Sequence, residues 1–340
     1  MAPLRVGVVG LGHMGKEHAR ILATLPDAKL AAVADLDANT RDTIARKYET
    51  RAFADHRQLI GLVDAVIIAV PTYAHYEVAS DFLRHRVPCL VEKPLASNLE
   101  QAEQLVQLSR EFNTLLQVGH IERFNPALLD LEKRPIRPHF IQGQRLSMFS
   151  GRCLDVGVVL DLMIHDLDVL LALVRSPVVE VEAVGVSVFG GHEDIAEARL
   201  RFANGCVATL TASRISVRPL RRMIVYSPEG YVELDFFRKH TLIVQPSEKA
   251  KQLGWRPEQL DISLVGLLRE KLFGQWLEVR EFNHDEGDQL TEEIRHFLYC
   301  VRTGARPRVT GEDGRDAIAL AERILDKIRA SPLYAQRRAA

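Results

Sequence analysis

Three glycines, Gly10, Gly12 and Gly15, stand between a short β-branched run, Arg5-Val6-Gly7-Val8-Val9, and a helical pattern opening at Met14. Few local structures need glycine at this spacing. A strand that turns sharply into a helix does: the first glycine permits the turn, the second lets a ligand's phosphates approach the backbone, and the third lets helix and strand pack closely. The first turn of such a helix carries unpaired N–H groups and the positive end of its dipole, which suits an anion. Twenty positions beyond Gly15, Asp35 closes the next apolar run. A carboxylate there can accept from both hydroxyls of an adenosine ribose and repels a 2′-phosphate, which favours NAD over NADP. The competing reading makes Asp35 a helix-capping residue within Asp35-Leu36-Asp37, and both roles can hold together. His13 and Met14, inside the fingerprint, count with the glycines and Asp35 as cofactor-contacting positions; the plain alternative for His13 is a solvated loop residue.

The pattern then repeats. Strand candidates Arg5 to Val9, Leu30 to Asp35, Ala65 to Val70, Val87 to Glu92 and Leu115 to Gly119 alternate with helical patterns Met14 to Leu25, Asn39 to Tyr48, Tyr76 to Arg86 and Leu99 to Phe112. This alternation predicts an α/β architecture with a doubly wound parallel sheet. After Arg123 one long apolar helix, Val158 to Leu173, precedes alternating strands with hairpin turns at Asn204-Gly205 and Glu229-Gly230, then helices near Thr291 to Val301 and Asp316 to Arg329. That half reads as an α+β domain with an antiparallel sheet. Phe236 to Asp288, which holds Trp255 and Trp276, is mixed in period and reads as a partly structured excursion. A chain of 340 residues suits two cores. The expected division is a dinucleotide-binding domain over 1–122 and a substrate-binding domain over 123–340.

Composition narrows the partners. A net charge of −1 supplies no field for nucleic acid or an anionic membrane, and the apolar run Val158 to Val174 is interrupted by Asp161, His165, Asp166 and Asp168, so it is no membrane span. Cys89, Cys153, Cys206 and Cys300 are widely scattered, which fits reduced thiols better than a disulfide frame or a zinc site. With the first strand beginning near residue four there is no room for a signal peptide, and the expected compartment is the cytoplasm.

The candidate chemistry lies where charge interrupts apolar runs. Glu92-Lys93-Pro94 closes a strand at the carboxyl edge of the expected sheet, where ligands of open α/β folds bind, so Lys93 can donate to a substrate oxygen with Glu92 setting its orientation. The alternative is a surface ion pair at a strand end. Pro71 and Thr72, at an earlier strand end, stand where the chain leaves the sheet beside a nicotinamide ribose, and His75 and Tyr76 follow at a helix start; each could equally be a strand stop or a cap. Asp161 and His165 are spaced i, i+4 on a mostly apolar helix, where an acid and an imidazole are costly unless paired or lining a cavity. A histidine oriented by an aspartate is a competent base for an alcohol; a satisfied core pair is the alternative, and no third ligand at suitable spacing supports a metal. Asp166 and Asp168 fall off this face. At the join between domains, His120 and Arg123 could meet the cofactor or an anionic substrate, or simply cap the next helix. Arg214, Arg218, Arg221 and Arg222 crowd one strand end, with Arg145 and Arg152 as further candidates; such guanidiniums suit a phosphorylated substrate, although charge clusters on turns are often only solvated.

Together the fingerprint Gly10 to Gly15, the Glu-Lys-Pro at Glu92 to Pro94 and the D-x-x-x-H at Asp161 to His165 resemble the Gfo/Idh/MocA family of NAD(P)-dependent oxidoreductases over essentially the whole chain. The resemblance implies an N-terminal Rossmann domain, a C-terminal domain with an open, mainly antiparallel sheet that builds homodimers or homotetramers, and hydride transfer to or from a carbohydrate carbon. Lys93 and His165 inherit the catalytic positions, with Asp161 as orienter. Within the family, G-H-x-x-R-F-N-P at Gly119 to Pro126 and the arginine-bearing segment after Ser213 resemble the branch that oxidises the 3-hydroxyl of UDP-N-acetylglucosamine. The loop Met148 to Gly157, with Arg152 and Cys153, departs from the glycine- and tryptophan-rich lead expected there. On this reading Lys93, Arg123, Asp161, His165, Arg218 and Arg221 meet the substrate. A dehydrogenase of a free sugar or polyol such as inositol, a redox-assisted glycosidase and a non-catalytic dinucleotide sensor are the alternatives.

Overall fold

The computed structural model describes residues 2–149, 156–189, 191–253, 276–284, 287–332 and 334. The chain divides into two compact units, Met1–Phe124 with Gly287–Arg323, and Asn125–Glu286 with Ile324–Ala340. The first holds β1 (Leu4–Val9), α1 (His13–Leu22), β2 (Ala28–Ala34), α2 (Ala38–Tyr48), β3 (Arg51–Phe53), β4 (Ala65–Ile68), α3 (Thr72–Arg84), β5 (Cys89–Glu92), α4 (Leu99–Glu111) and β6 (Leu116–Gly119). These strands form one parallel sheet in the order β3-β2-β1-β4-β5-β6. The doubly wound sheet is therefore as the sequence predicts, with its strand order reversing between β1 and β4, where such folds place their ligands. Residues of β4 and β5 are buried throughout, which is why those segments read as continuous apolar runs up to Glu92, the one charge, at the end of β5. The three-residue β3 escaped sequence reading because it is too short to show a period. α3 starts at Thr72, four residues before the expected Tyr76: Pro71 precedes its first turn, where a fixed φ of −57° suits helix entry and a missing N–H costs nothing.

The second unit opens with α5 (Pro126–Glu132) and β7 (Phe140–Leu146), followed by a π turn at Val159–Met163 that runs into α6 (Ile164–Val174). Strands β8 (Val178–Val186), β9 (Ile195–Phe202), β10 (Val207–Ser213), β11 (Leu220–Ser227), β12 (Gly230–Asp235), β13 (His240–Pro246) and β14 (Leu277–Asn283) join β7 in an eight-stranded sheet of order β14-β13-β12-β11-β7-β10-β9-β8, with α7 (Glu248–Leu253) after β13. Among the described residues only the β7–β10 pair is parallel, so the sheet is mainly antiparallel. β9 alternates buried and exposed residues along its length, the mark of a sheet with one covered face. Phe236 to Asp288 is more ordered than its mixed period suggests: β13 and β14 extend the sheet, although 254–275 and 285–286, including Trp255, lie outside the described residues.

Of the last helices, α8 (Gln289–Thr303) and α9 (Gly311–Ala330), all of the first and the part of the second up to Arg323 group away from the expected domain. Sequence order assigns both to the second domain, yet residues 287–323 group with the first unit. The cause is the apolar stripe of α8: Leu290, Ile294, Phe297 and Leu298 enter the same core as Val6, Leu11, Ile21, Ile67 and Leu90.

Candidate active site

The fingerprint loop shows what each glycine is for. Gly10 has φ +83°, and a side-chain carbon there would stand 2.6 Å from the Ala69 carbonyl oxygen; one on Gly15 would stand 1.8 Å from the Gly10 oxygen. Both are demanded by the protein itself. Gly12 is different: a carbon there meets nothing within 4 Å, and the residue precedes the first turn of α1 with no side chain capping that turn. Bare helix N–H groups beside open space are a fitting cradle for a diphosphate. Asp35 is fixed alongside, its Oδ2 accepting from Leu11 N at 2.6 Å and its Oδ1 from Asp37 N at 2.8 Å. The capping role goes to Asp37, whose carboxylate accepts from Thr40 N at 2.7 Å. These residues fit NAD. His13 is exposed and Met14 half-buried.

At the ends of β4 and β5 the structure brings several sequence candidates together. His75, 1% exposed, places Nδ1 2.8 Å from the Pro94 carbonyl and Nε2 2.9 Å from that of Val70. It braces the Val70-Pro71-Thr72 turn against the Glu92-Lys93-Pro94 turn, whose Lys93–Pro94 peptide is cis. Burial pushes the His75 imidazole down in pKa, against the pull of the two carbonyls. Lys93 is half-buried. Glu92 is not a surface partner for it: the carboxylate turns inward and accepts from His18 Nε2 at 2.7 Å. Burial alone would raise the Glu92 carboxyl, but the His18 hydrogen bond and the positive charge of Lys93 outweigh it and hold it below its usual range. His120 is fully buried, and desolvation, helped by Lys93 and Arg123, lowers its pKa to about 3, so the ring is neutral. Arg123, expected to face substrate, is 9% exposed and donates to the Arg308 carbonyl at 3.3 Å, while Arg308 Nε returns a bond to the Arg123 carbonyl at 2.8 Å. Its guanidinium is used inside the first unit.

In the second unit Asp161 and His165 are both half-buried, but the expected single helix begins as a π turn, with Asp161 inside it and His165 in the first turn of α6. π turns recur at functional sites. Two acids that sequence reading missed hold this start. Glu193, 2% exposed, accepts from Val159 N at 3.1 Å through Oε1 and from Val158 N at 3.1 Å through its backbone oxygen. A side chain at Gly157 would run into the same carboxylate. Asp194 pairs with Arg214 at 2.7 Å, and Arg214 Nη1 donates to the Val156 carbonyl at 2.9 Å. Burial works against the Asp194 anion, but the N–H of Phe189, the Arg214 guanidinium and the N–H of Val188 hold its pKa down. Beyond His165, Asp166 pairs with Arg145 at 2.8 Å, both buried. Nothing in Glu193-Asp194 or Arg214 as letters distinguishes them from solvated loop charges.

The arginine group therefore needs correction. Arg145 and Arg214 are internal ion-pair partners, and Arg222 donates to Gln144 Oε1 at 3.1 Å. Arg218 and Arg221 remain exposed, with Arg221 opposite Arg145 in register and so on the same face of the sheet. Arg152 and Cys153 lie outside the described residues. Among the described residues no group of three or more His, Cys, Asp or Glu side chains could hold a metal ion, and no helix is long and apolar enough to cross a membrane.

Comparison with known proteins identifies the family. Residues 4–120 match the GFO_IDH_MocA family, described as an oxidoreductase family with an NAD-binding Rossmann fold, and 138–233 match the GFO/IDH/MocA C-terminal domain. The chain is 38% identical over 237 residues to a UDP-N-acetylglucosamine 3-dehydrogenase of Acidithiobacillus ferrooxidans, covering 69% of this chain and 75% of that protein. A solved structure of UDP-N-acetylglucosamine 3-dehydrogenase GnnA from that organism superposes with a TM-score of 0.86 at 32% identity over 99% of this chain and 100% of the other. A myo-inositol 2-dehydrogenase of Thermotoga maritima is 26% identical, covering 93% of this chain and 94% of its own length. The chain thus belongs to the GFO/IDH/MocA family of NAD-binding oxidoreductases.

Proposed function

We propose that the protein oxidises the 3-hydroxyl of UDP-N-acetylglucosamine to a ketone with NAD. The observation that carries this reading is the full-length likeness to a solved 3-dehydrogenase of that nucleotide sugar. NAD, when bound, supplies the hydride acceptor. Gly10, Gly12, Gly15 and the first turn of α1 hold its diphosphate, and Asp35 takes the adenosine ribose hydroxyls. Lys93 donates a hydrogen bond to the reacting oxygen, and His165, oriented by Asp161, accepts the hydroxyl proton. Pro71 and Thr72 line the cofactor side, with His75 and Glu92 fixing the turns from behind. Arg218 and Arg221 meet the substrate's phosphates. The myo-inositol relative keeps a free polyol as the second reading. A non-catalytic sensor would have no use for Lys93, Asp161 and His165 together. We also propose a homodimer or homotetramer, supported by the exposed Val184 and Val186 on β8; light scattering that returns a single 38.2 kDa chain would contradict it. The buried free thiols Cys89, Cys206 and Cys300 support a reducing compartment such as the cytoplasm.

Three further outcomes follow from the residue roles. Gly12→Val should leave the thermal midpoint of the ligand-free protein unchanged while weakening NAD binding at least about tenfold, as read by calorimetry, since the added carbons meet only the space meant for phosphate. A midpoint that drops would show that Gly12 serves the fold alone. Lys93→Met and His165→Ala should each lower kcat by about a hundredfold or more with NAD affinity retained, measured as NADH formation. Near-normal turnover demotes the residue in question to a packing role. Arg218→Ala and Arg221→Ala should raise KM for UDP-N-acetylglucosamine more than they lower kcat. Equal kcat/KM for N-acetylglucosamine and its UDP conjugate would move the assignment to a free sugar or polyol.

A further inference from the structure

Four polar side chains, His18, Glu92, Gln117 and Glu293, are buried within the first unit. Glu92 on β5 and Gln117 on β6 project from one face of the sheet, because Leu90 and Gln117, and Glu92 and Gly119, are register partners. Glu92 leans over β6, its Oε2 3.0 Å from where a side-chain carbon on Gly119 would stand. His18 reaches Glu92 from α1 at 2.7 Å, and Gln117 Nε2 donates to the Glu293 backbone carbonyl on α8 at 3.4 Å. His18, Gln117 and Glu293 are all 0% exposed.

Glu293 is the group the chemistry leaves unused. Neither of its carboxyl oxygens has a hydrogen-bond partner among the described residues, and the same holds for Gln117 Oε1 and His18 Nδ1. A carboxylate shut away from water with no donor is too costly to keep charged, and it takes up a proton instead. Burial, and then the negative charge of Glu92, raises the Glu293 pKa well above the ordinary 4.5. Glu92 moves the other way, because it has the His18 donor and the Lys93 charge. The buried or half-buried charged and titratable groups on the elements around Glu293 include His18, Glu92, Lys93, His120, Glu122 and Arg123, while Lys16, Glu17 and Arg20 also lie on α1; on α8 itself Glu292 and Arg295 pair with each other at 2.7 Å, and His296 Nε2 accepts from Arg308 N at 2.9 Å.

We propose that Glu293 is a positioning residue that acts on the lysine step through Glu92: it holds a proton within this buried cluster, so that Glu92 carries the negative charge of the two, and on releasing the proton to solvent it adds a second negative charge behind the Lys93 turn. The role toward Lys93 rests on the dehydrogenase reading, whereas the charge of Glu293 rests on the cluster alone.

Infrared difference spectra of the ligand-free protein, wild type against Glu293→Gln near neutral pH, decide the charge. The C=O stretch of a protonated carboxylic acid is expected to vanish in the variant; loss of carboxylate stretches in its place overturns the proposal. Stability supplies a second readout independent of turnover. Above pH 4.5 the unfolded chain has released the Glu293 proton and the folded chain has kept it, so the unfolded state binds fewer protons and stability falls as pH rises. Glu293→Gln escapes this loss and should gain on wild type in urea titrations from about pH 4 to about pH 7. A variant less stable than wild type at neutral pH would mean an ionised, paired Glu293 and overturns the proposal. If the variant does not fold, the wild-type spectrum alone decides, by presence or absence of the acid band near neutral pH. For the lysine step, the alkaline limb of kcat/KM should move to lower pH in the variant, while superimposable profiles overturn the positioning role. A wild type with no dehydrogenase activity fails the functional reading, and the infrared band still tests the charge.

Discussion

Charge removed from water has to be paired, and that requirement decides where the functional side chains of both units stand. A buried ion loses several kcal/mol of hydration, recovered only when a partner sits in good geometry. In the first unit His18 meets this need for Glu92 at 2.7 Å, and Glu92 is continuous with the Lys93 turn. In the second, Arg145 with Asp166 and Arg214 with Asp194 flank the segment that carries Asp161 and His165. Removing one partner from such a pair costs far more than an exposed ion pair is worth, so these charges act as fixed points for the segments that carry Lys93, Asp161 and His165.

The sequence carried the sheet of the first unit because its signals are local. A strand, three glycines at fixed spacing, a helix and an acid at the next strand end lie within about thirty-five residues, and each can be read without knowing the others' partners. The same locality made Lys93 and Asp161 with His165 stand out as candidates. What was not visible depends on contacts distant in sequence. Glu193 serves an N–H thirty-four residues earlier, and Arg123 exchanges bonds with Arg308 across 185 residues. A charged letter gives no hint whether it faces water, a carboxylate or a carbonyl, which is why the internal bonds of Arg145, Arg214 and Arg123 could not be read from the sequence. α8 misled for a related reason: its apolar stripe shows that it packs, and not against what.

The two units divide the work by the kind of structure each supplies. A parallel sheet ends all its strands at one edge, so Gly10, Asp35, Pro71 and Lys93 gather there without further design. A mainly antiparallel sheet offers no such edge, and the second unit relies on a helix start held by Glu193 and Asp194 to set Asp161 and His165. Arg218 and Arg221 are exposed, unlike the buried pairs around Asp161 and His165, and so stand where a substrate's phosphates are proposed to meet them.

The central claim is that hydride leaves the sugar's third carbon for the nicotinamide. UDP-N-acetylglucosamine carrying deuterium at that carbon, incubated with NAD and the enzyme, tests it directly. The account expects the label on C4 of the recovered NADH and a 3-keto nucleotide sugar as product. Unlabelled NADH, or deuterium retained in the sugar, would contradict it.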